Sequence, residues 1–116
     1  MHKSVKELDC ERVSASAAGD YFQVLFERTP DSDQGYVLIQ RQFESPDGGE
    51  CYIETDDPDF CGHFRIRSAQ LSRSRFHLAF GNRPEKQITL SFSATHSAYS
   101  KAKRVLQIMI PGLEFV

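Results

Sequence analysis

Residues 21–43 read YFQVLFERTPDSDQGYVLIQRQF, and this stretch predicts two β-strands joined by a turn. Phe22, Val24 and Phe26 recur at every second position, which is the period of a strand with one face against a core. The turn, residues 29–35, contains Pro and Gly together with Asp and Ser, whose side chains bond their own backbone. The pattern therefore predicts an antiparallel sheet, which the flanking sequence extends.

The same signals continue along the chain in both directions. Residues 36–43 are apolar at consecutive positions, as in a central strand, and residues 45–49, SPDGG, form the next turn. Residues 1–20, with SASAAG near their end, supply a further edge strand. The later stretches that alternate or are rich in β-forming residues are 51–55, 63–67, 76–80 and 87–94.

One segment has the period of a helix. In residues 97–110, apolar side chains recur at intervals of three and four residues, which indicates a helix with one apolar stripe. Ser97 is the predicted N-cap, and Pro111-Gly112 is predicted to end the helix. The tail is predicted to dock beside the sheet through Leu113 and Phe115. The stripe consists of Ala98, Ala102, Val105, Leu106 and Met109.

These elements predict an α+β fold: an antiparallel β-meander of five or six strands with a C-terminal α-helix packed on one face. The length of 116 residues is that of a single domain, residues 1–116. A net charge of −2 argues against general attraction to nucleic acid or anionic membranes. No apolar run reaches the ~18 residues of a membrane span, and the N-terminus lacks the apolar region of a secretory signal.

A cytoplasmic location is therefore expected, and the cysteines agree with it. Cys10, Cys51 and Cys61 are odd in number and irregularly spaced, which is typical of free thiols. A Cys51–Cys61 bridge across a hairpin is the alternative in an oxidising compartment.

The acidic, cysteine and histidine residues do not form a known catalytic or metal-binding motif. The stretch ETDDPDFCGH, residues 54–63, combines acids with Cys61 and His63, but it lacks paired zinc spacings and the order of a calcium loop. We therefore expect no catalytic residue, no metal and no cofactor. The alternative is a polar patch for ligand binding or acid–base chemistry, with His63 and His77 on neighbouring strands beside Arg65, Arg67 and Ser91 or Ser93.

Acidic residues are concentrated before and after the short strand 51–55. Such a patch attracts a basic protein partner and speeds the encounter, and aromatic side chains within it can anchor the contact. The alternative is that these acids form a solvated surface that binds no partner. The acids are Glu44, Asp47, Glu50, Glu54, Asp56, Asp57 and Asp59. The residues predicted to bind a partner are Glu50, Tyr52, Glu54, Asp56, Asp57, Asp59 and Phe60.

The order of these segments resembles the immunity protein 10 family of bacterial polymorphic toxin systems. That family has a strand similar to LLLQRS, a strand similar to VYIE, a hairpin of the form G-x-x-S-A-x-L-x-R-x-x-x-x-x-F, and a strand of the form L-x-I-S-F. The resemblance extends over about residues 20–110 and rests on four matching stretches, while Cys51, Cys61 and the sequence FCGHF have no counterpart in the family. These stretches are 38–43, 51–54, 62–80 and 88–92.

The resemblance implies a non-enzymatic antitoxin. Such a protein binds a cognate toxin domain in the cytoplasm and blocks it by steric and electrostatic occlusion, as a monomer or weak homodimer. Two other classes remain open: a small enzyme or ligand-binding domain that uses the His/Arg face, and a scaffold module without a ligand.

Overall fold

A computed structural model describes residues 5–29, 35–43, 48–82 and 85–116. Within these residues the chain forms ten strands, one α-helix and one turn of 3₁₀-helix, Pro58–Phe60. The α-helix, α1, is His96–Met109. The strands are β1 (Val5–Cys10), β2 (Arg12–Ala18), β3 (Tyr21–Glu27), β4 (Tyr36–Gln42), β5 (Cys51–Thr55), β6 (Gly62–Phe64), β7 (Ile66–Leu71), β8 (Arg75–Phe80), β9 (Lys86–Phe92) and β10 (Glu114–Phe115).

The strands form two five-stranded sheets. Sheet B has the order β2-β3-β4-β5-β6 and is an antiparallel meander. Sheet A has the order β1-β9-β8-β7-β10, in which the edge strands β1 and β10 pair in parallel with their neighbours. The chain passes between the sheets at two places, Glu11 and Arg65, where one strand ends and the next begins in the other layer.

The two sheets share one hydrophobic core. Phe26 of sheet B stacks on Phe76 of sheet A, with ring centroids 5.5 Å apart and planes 10° from parallel. The ring of Phe92 also lies 5.5 Å from Phe26. Phe26 and Phe76 are completely or almost completely buried, and the buried side chains of both sheets and of α1 belong to one cluster. The inner faces therefore stabilise each other by excluding water from both layers.

Helix α1 covers the inner face of sheet B, where it contacts β2 and β3. Its buried residues are Ala102, Val105, Leu106 and Met109, as the sequence pattern predicted, and Ala98 packs partly against the core. At the C-terminal end, the guanidinium of Arg41 donates to the carbonyl oxygen of Met109 at 2.7 Å. The helix ends there, before the turn at Pro111 and Gly112.

The prediction that Ser97 caps the helix was wrong. The N-cap is Thr95, which has extended backbone angles and accepts a hydrogen bond from the Ala98 backbone N–H at 3.1 Å. The two residues are close in sequence and both have hydroxyls, so only the backbone geometry distinguishes them.

The α+β class and the C-terminal helix are confirmed. The antiparallel meander corresponds to sheet B, whereas stretches assigned to the same layer by sequence form a second sheet. The segment HFRIR, predicted as one strand, ends β6, crosses to the other layer and begins β7. Alternation shows which side of a strand is buried but not which strands it pairs with, so this division was not visible in the sequence. The expected edge strand from residues 1–20 is present as β1 and β2.

The C-terminal tail docks beside the sheet as predicted for Leu113, but not for Phe115. Leu113 packs against the core and β10 pairs with β7, but the Phe115 side chain is largely exposed, beneath the Lys103 ammonium. No disulfide joins Cys10, Cys51 or Cys61, and burial raises the pKa of the Cys10 thiol to about 12. No helix among the described residues is long and apolar enough to span a membrane. Predictions for residues 30–34, 45–47 and 83–84 lie outside the described residues.

Replacement of Phe26 by Ala should lower the free energy of unfolding by about 3–5 kcal/mol, because it removes a fully buried ring that contacts the opposite sheet. Urea denaturation measures this change. Leu25→Ala is the matched control, since the neighbouring side chain is half-buried on the other face and should cost about 1 kcal/mol. Equal losses for the two variants would contradict a core between the sheets.

Candidate protein-interaction face

The predicted partner-binding residues occupy four different environments: the outer face of a strand, exposed positions, a hydrogen-bonded loop and, for Phe60, the core. Tyr52 and Glu54 lie on the outer face of β5, where both are half-buried. Glu50 precedes this strand and is exposed, and Asp59 is exposed in the turn that follows it. Asp56 and Asp57 are tied into the loop by hydrogen bonds. Glu44 and Asp47, the other acids of the predicted stretch, lie outside the described residues.

Asp56 and Asp57 hold the loop in place. The Asp56 carboxylate accepts from the Lys6 ammonium at 2.8 Å and from the Gly35 backbone N–H at 2.9 Å. The hydrogen bond from Lys6 is the main cause that lowers the pKa of Asp56. Asp57 caps the 3₁₀ turn by accepting from the Asp59 backbone N–H at 3.0 Å. These two acids therefore serve the loop's own structure, and their charges are less available to a partner than the sequence suggested.

Phe60 is not an exposed anchor, and its prediction as a partner-binding residue was wrong. Its side chain is completely buried. The ring packs edge-on against Phe80 with centroids 6.5 Å apart, and the Lys86 ammonium lies 5.5 Å from its centre. A large apolar side chain next to a core is more stable buried than exposed, and the 3₁₀ turn directs this one inward. Phe60 thus holds residues 56–61, which we call the acidic loop, against the core.

Metal-binding geometry is absent from the part of the chain that the structure describes. No group of three or more His, Cys, Asp or Glu residues there could hold an ion. The Cys61 thiol lies 3.3 Å from the carbonyl oxygens of Thr55 and Asp57, to which it donates, and it accepts from the Thr55 N–H. The His63 ring lies beside Tyr52 with centroids 5.1 Å apart. The Cys61 thiol is therefore engaged by backbone groups, whereas His63 is exposed with one side beside the Tyr52 ring.

The outer face of sheet B brings the predicted residues Tyr52 and Glu54 together with others that the sequence did not single out. The residue register of the sheet places Tyr21, Tyr36 and Tyr52 there, which are three of the four tyrosines in the chain. Leu25 and Leu38 are directly paired between them. All five side chains are half-buried, and helix α1 lies on the opposite side of the sheet. We refer to these five residues, with Gln23, Gln40 and Glu54, as the tyrosine face.

Hydrogen bonds fix the polar atoms of the tyrosine face. The carboxylate of Glu54 accepts from the Tyr36 hydroxyl at 3.0 Å and from the Tyr52 hydroxyl at 2.9 Å. The Gln23 side-chain oxygen accepts from the Tyr21 hydroxyl at 3.1 Å and from the Gln40 amide at 2.8 Å. Because each acceptor holds two neighbours, the rings and amides have little rotational freedom left to lose on binding.

Glu54 also contributes to a raised pKa of both phenols. Desolvation, followed by the hydrogen bond to Glu54, raises the pKa of Tyr36 to about 12. The hydrogen bond to Glu54 is the main cause that raises the pKa of Tyr52. A raised pKa means that the network stabilises the fold fully below pH ~10, the usual tyrosine pKa, and that this contribution is lost as the pH rises through the folded-state pKa values.

A sequence signal for this face existed in strand β4. Tyr36, Leu38 and Gln40 alternate with the core residues Val37 and Ile39, so apolar side chains lie on both faces of the strand. This pattern predicted a central strand, and β4 is the middle strand of sheet B. Its outer side chains, Tyr36, Leu38 and Gln40, are half-buried, because all elements that pack on sheet B among the described residues use its inner face.

The alternative His/Arg patch is not assembled as expected. His63 lies on β6 at the edge of sheet B, whereas His77 lies on β8 inside sheet A, so they are not on neighbouring strands. His77 pairs through Nδ1 with the Thr89 hydroxyl at 2.9 Å. A groove of about 110 Å³ lies nearby on sheet A, with Arg75 and Asp9 in its lining, and Asp9 accepts from the Ser91 hydroxyl.

Comparison of the chain with protein-family models, with characterised proteins and with solved structures finds no match. The resemblance to the immunity protein 10 family is thus carried by the sequence motifs alone. Fold and site define a small α+β protein, in which the described residues form two sheets, one α-helix and an open, hydrogen-bonded tyrosine face.

Replacement of Glu54 by Gln should lower the pKa values of Tyr36 and Tyr52, because a neutral amide does not favour the protonated phenol as a carboxylate does. Titration by the ultraviolet absorbance of tyrosinate measures the shift, and single Tyr→Phe variants assign it. Glu114→Gln, which removes an exposed charge on sheet A, is the control and should leave the titration unchanged. An unaltered titration in Glu54→Gln would contradict the network.

Proposed function

We propose that this protein is an immunity protein that binds and neutralises a cognate toxin domain of a bacterial polymorphic toxin system in the cytoplasm. Inhibition is by occlusion: the bound protein covers the toxin's working surface, and no chemical step is required. The motifs shared with the immunity protein 10 family support this class. The tyrosine face is the single structural observation that supports protein binding most directly.

The tyrosine face has the composition of a binding surface. Tyrosine supplies a large contact area at a low entropic cost, and it is enriched at protein interfaces and among the residues that contribute most to affinity. The two leucines provide an apolar centre between the rings. Because Glu54 and Gln23 already hold the phenols, binding requires little further ordering of side chains.

Charge beside the face favours a basic partner surface. Glu54 lies within the tyrosine face, and Glu27 occupies the same outer side of β3. Glu50 and Asp59 are exposed at the ends of the segment that contains β5. Exposed acids of this kind raise the rate of encounter with a positively charged protein more than they raise the final affinity. A toxin that acts on nucleic acid or another polyanion has a basic surface, and its positive charge is opposite to that of these acids.

The alternative function, a small ligand-binding or enzymatic domain, receives weaker support from the geometry. Its two histidines lie on different sheets, and the groove near His77 has a volume of only about 110 Å³. Pockets that enclose a small molecule usually measure ~300–1,000 Å³.

Tyr52→Ala should weaken toxin binding by about 2 kcal/mol, or roughly 30-fold, because it removes a ring and one of the two donors to Glu54. Growth rescue on co-expression with the toxin encoded beside this gene, and calorimetry of the purified pair, measure the loss. His77→Ala, a half-buried residue on the outer face of sheet A, is the matched control and should preserve full rescue. Loss of rescue only in His77→Ala would place the interface on sheet A.

Charge reversal at Glu50 and Asp59 to Lys should lower the association rate by about tenfold at low salt, with a smaller effect on dissociation, because both acids are exposed. Stopped-flow or surface-based kinetics at two ionic strengths separates the rates. Asp9→Lys, an exposed acid on sheet A, is the control. A change confined to the dissociation rate would show that these acids contact the partner directly instead of steering it.

A further inference from the structure

Glu54 is the only charged residue of the tyrosine face. Its side chain is half-buried on the outer side of β5. The two groups that hold its carboxylate, the Tyr36 and Tyr52 hydroxyls, are neutral. No ion pair joins Glu54 to a cation among the described residues, whereas Asp56 on the same loop side is paired with Lys6. The face therefore contains one negative charge that no described residue neutralises.

A protein that covers this face removes the charge of Glu54 from water. An unpaired carboxylate inside an interface is strongly unfavourable, because hydrogen bonds from neutral groups replace only part of its hydration. The tyrosine and leucine side chains around it exclude water once the contact forms. The bound protein must therefore place a cation at Glu54. This requirement rests on the proposed function, since it follows only if a protein covers the face.

Both carboxylate oxygens of Glu54 can accept a further hydrogen bond. The Tyr36 hydroxyl donates to Oε2 at 3.0 Å, and the Tyr52 hydroxyl donates to Oε1 at 2.9 Å. Because a carboxylate oxygen has two lone pairs, one acceptor position remains on each oxygen. This arrangement fits the planar fork of an arginine guanidinium, which donates two parallel N–H groups to a carboxylate. A lysine ammonium has no such fork and acts as a point charge.

The aromatic rings beside Glu54 favour the same kind of cation. Tyr52 lies two residues before Glu54 on the same face of β5, and Tyr36 reaches the carboxylate from the neighbouring strand β4. A guanidinium stacks on tyrosine rings, and it is more weakly hydrated than an ammonium, so an interface buries it at a lower cost. The protein contains such a contact elsewhere, where the Arg73 guanidinium lies 4.6 Å from the centre of the Tyr99 ring.

We propose that Glu54, together with the rings of Tyr36 and Tyr52, forms a binding site for one arginine side chain of the protein partner. The guanidinium donates to both oxygens of Glu54 and lies against the tyrosine rings. The site contributes to affinity and selects arginine over lysine. Glu50 and Asp59 act differently, because they are exposed and attract positive charge over a distance without a fixed contact.

Binding of N-acetylarginine methylamide to the isolated full chain tests the site directly. An NMR titration up to about 20 mM at constant ionic strength covers the weak affinity of a single side chain. We expect saturable shifts of the Tyr36 and Tyr52 ring resonances. The matched lysine derivative should bind roughly threefold more weakly or worse, and the citrulline derivative, which has the shape of arginine without its charge, should not bind. Equal binding of the arginine and lysine derivatives, or no saturable shift with arginine, would overturn the proposal.

A pair of variants separates the Glu54 carboxylate from the general negative charge of the surface. Glu54→Gln preserves the shape of the side chain but removes its charge, and it should weaken binding of the arginine derivative at least about tenfold. Glu7→Gln removes an exposed charge from β1 of sheet A and should leave binding unchanged. Far-UV circular dichroism checks that both variants fold. Equal binding by Glu54→Gln and the wild type, or an equal loss in both variants, would contradict the site.

Binding kinetics with the toxin encoded beside this gene distinguish a direct contact from steering. Glu54→Gln should weaken binding at least about tenfold, mainly through faster dissociation, because a buried charge pair acts after the encounter. Each toxin arginine is then replaced by lysine and combined with Glu54→Gln in a double-mutant cycle. One arginine should lose most of its effect in the Glu54→Gln background. A change in the association rate alone, or the absence of any coupled arginine, would show that Glu54 holds no arginine.

Failure of this site and failure of the proposed function give different results. Full growth rescue by Glu54→Gln, together with loss of rescue in Tyr52→Ala, would overturn the arginine site and leave toxin binding by the tyrosine face in place. A wild-type chain that binds no toxin but shows saturable, Glu54-dependent binding of the arginine derivative would contradict the proposed function and support the site.

Discussion

The stacking of Phe26 on Phe76, with Phe92 alongside, joins the two sheets of this protein. Each sheet has one face of fully buried apolar side chains, and neither of these faces is stable in water alone. Once the two faces cover each other and helix α1 fills the remaining side, the core is complete. The outer faces of both sheets then have no structural requirement to be covered, and their side chains are available for other contacts.

The outer face of sheet B is one of these available surfaces. Tyrosine can lie half-exposed on a sheet because its ring packs while its hydroxyl is hydrogen-bonded. Here Glu54 and Gln23 each accept two hydrogen bonds, so the polar atoms are satisfied within the face. The resulting surface is rigid and amphipathic, a combination that lowers the entropic cost of binding another protein.

The acidic loop after β5, although it follows a strand of sheet B, is held by contacts with sheet A. Phe60 anchors it to the core beside Phe80, and Asp56 joins it to Lys6 of β1. Part of the charge that looks free in the sequence is therefore used in folding, and the exposed acids Glu50 and Asp59 remain at its margins. Such a fixed loop presents its charge at a constant position next to the tyrosine face.

The sequence by itself determined the faces of the strands, the helical stripe that ends at Met109, and the presence of an edge strand near the N-terminus. These features follow from local periods of two and of three to four residues, which any short segment carries within itself. Only the tertiary structure decided that strands predicted as one layer form two, that Phe60 is buried, and that Tyr36 meets Glu54. Those outcomes depend on contacts between residues far apart in the chain, and a local pattern contains no information about which distant strand will become the neighbour.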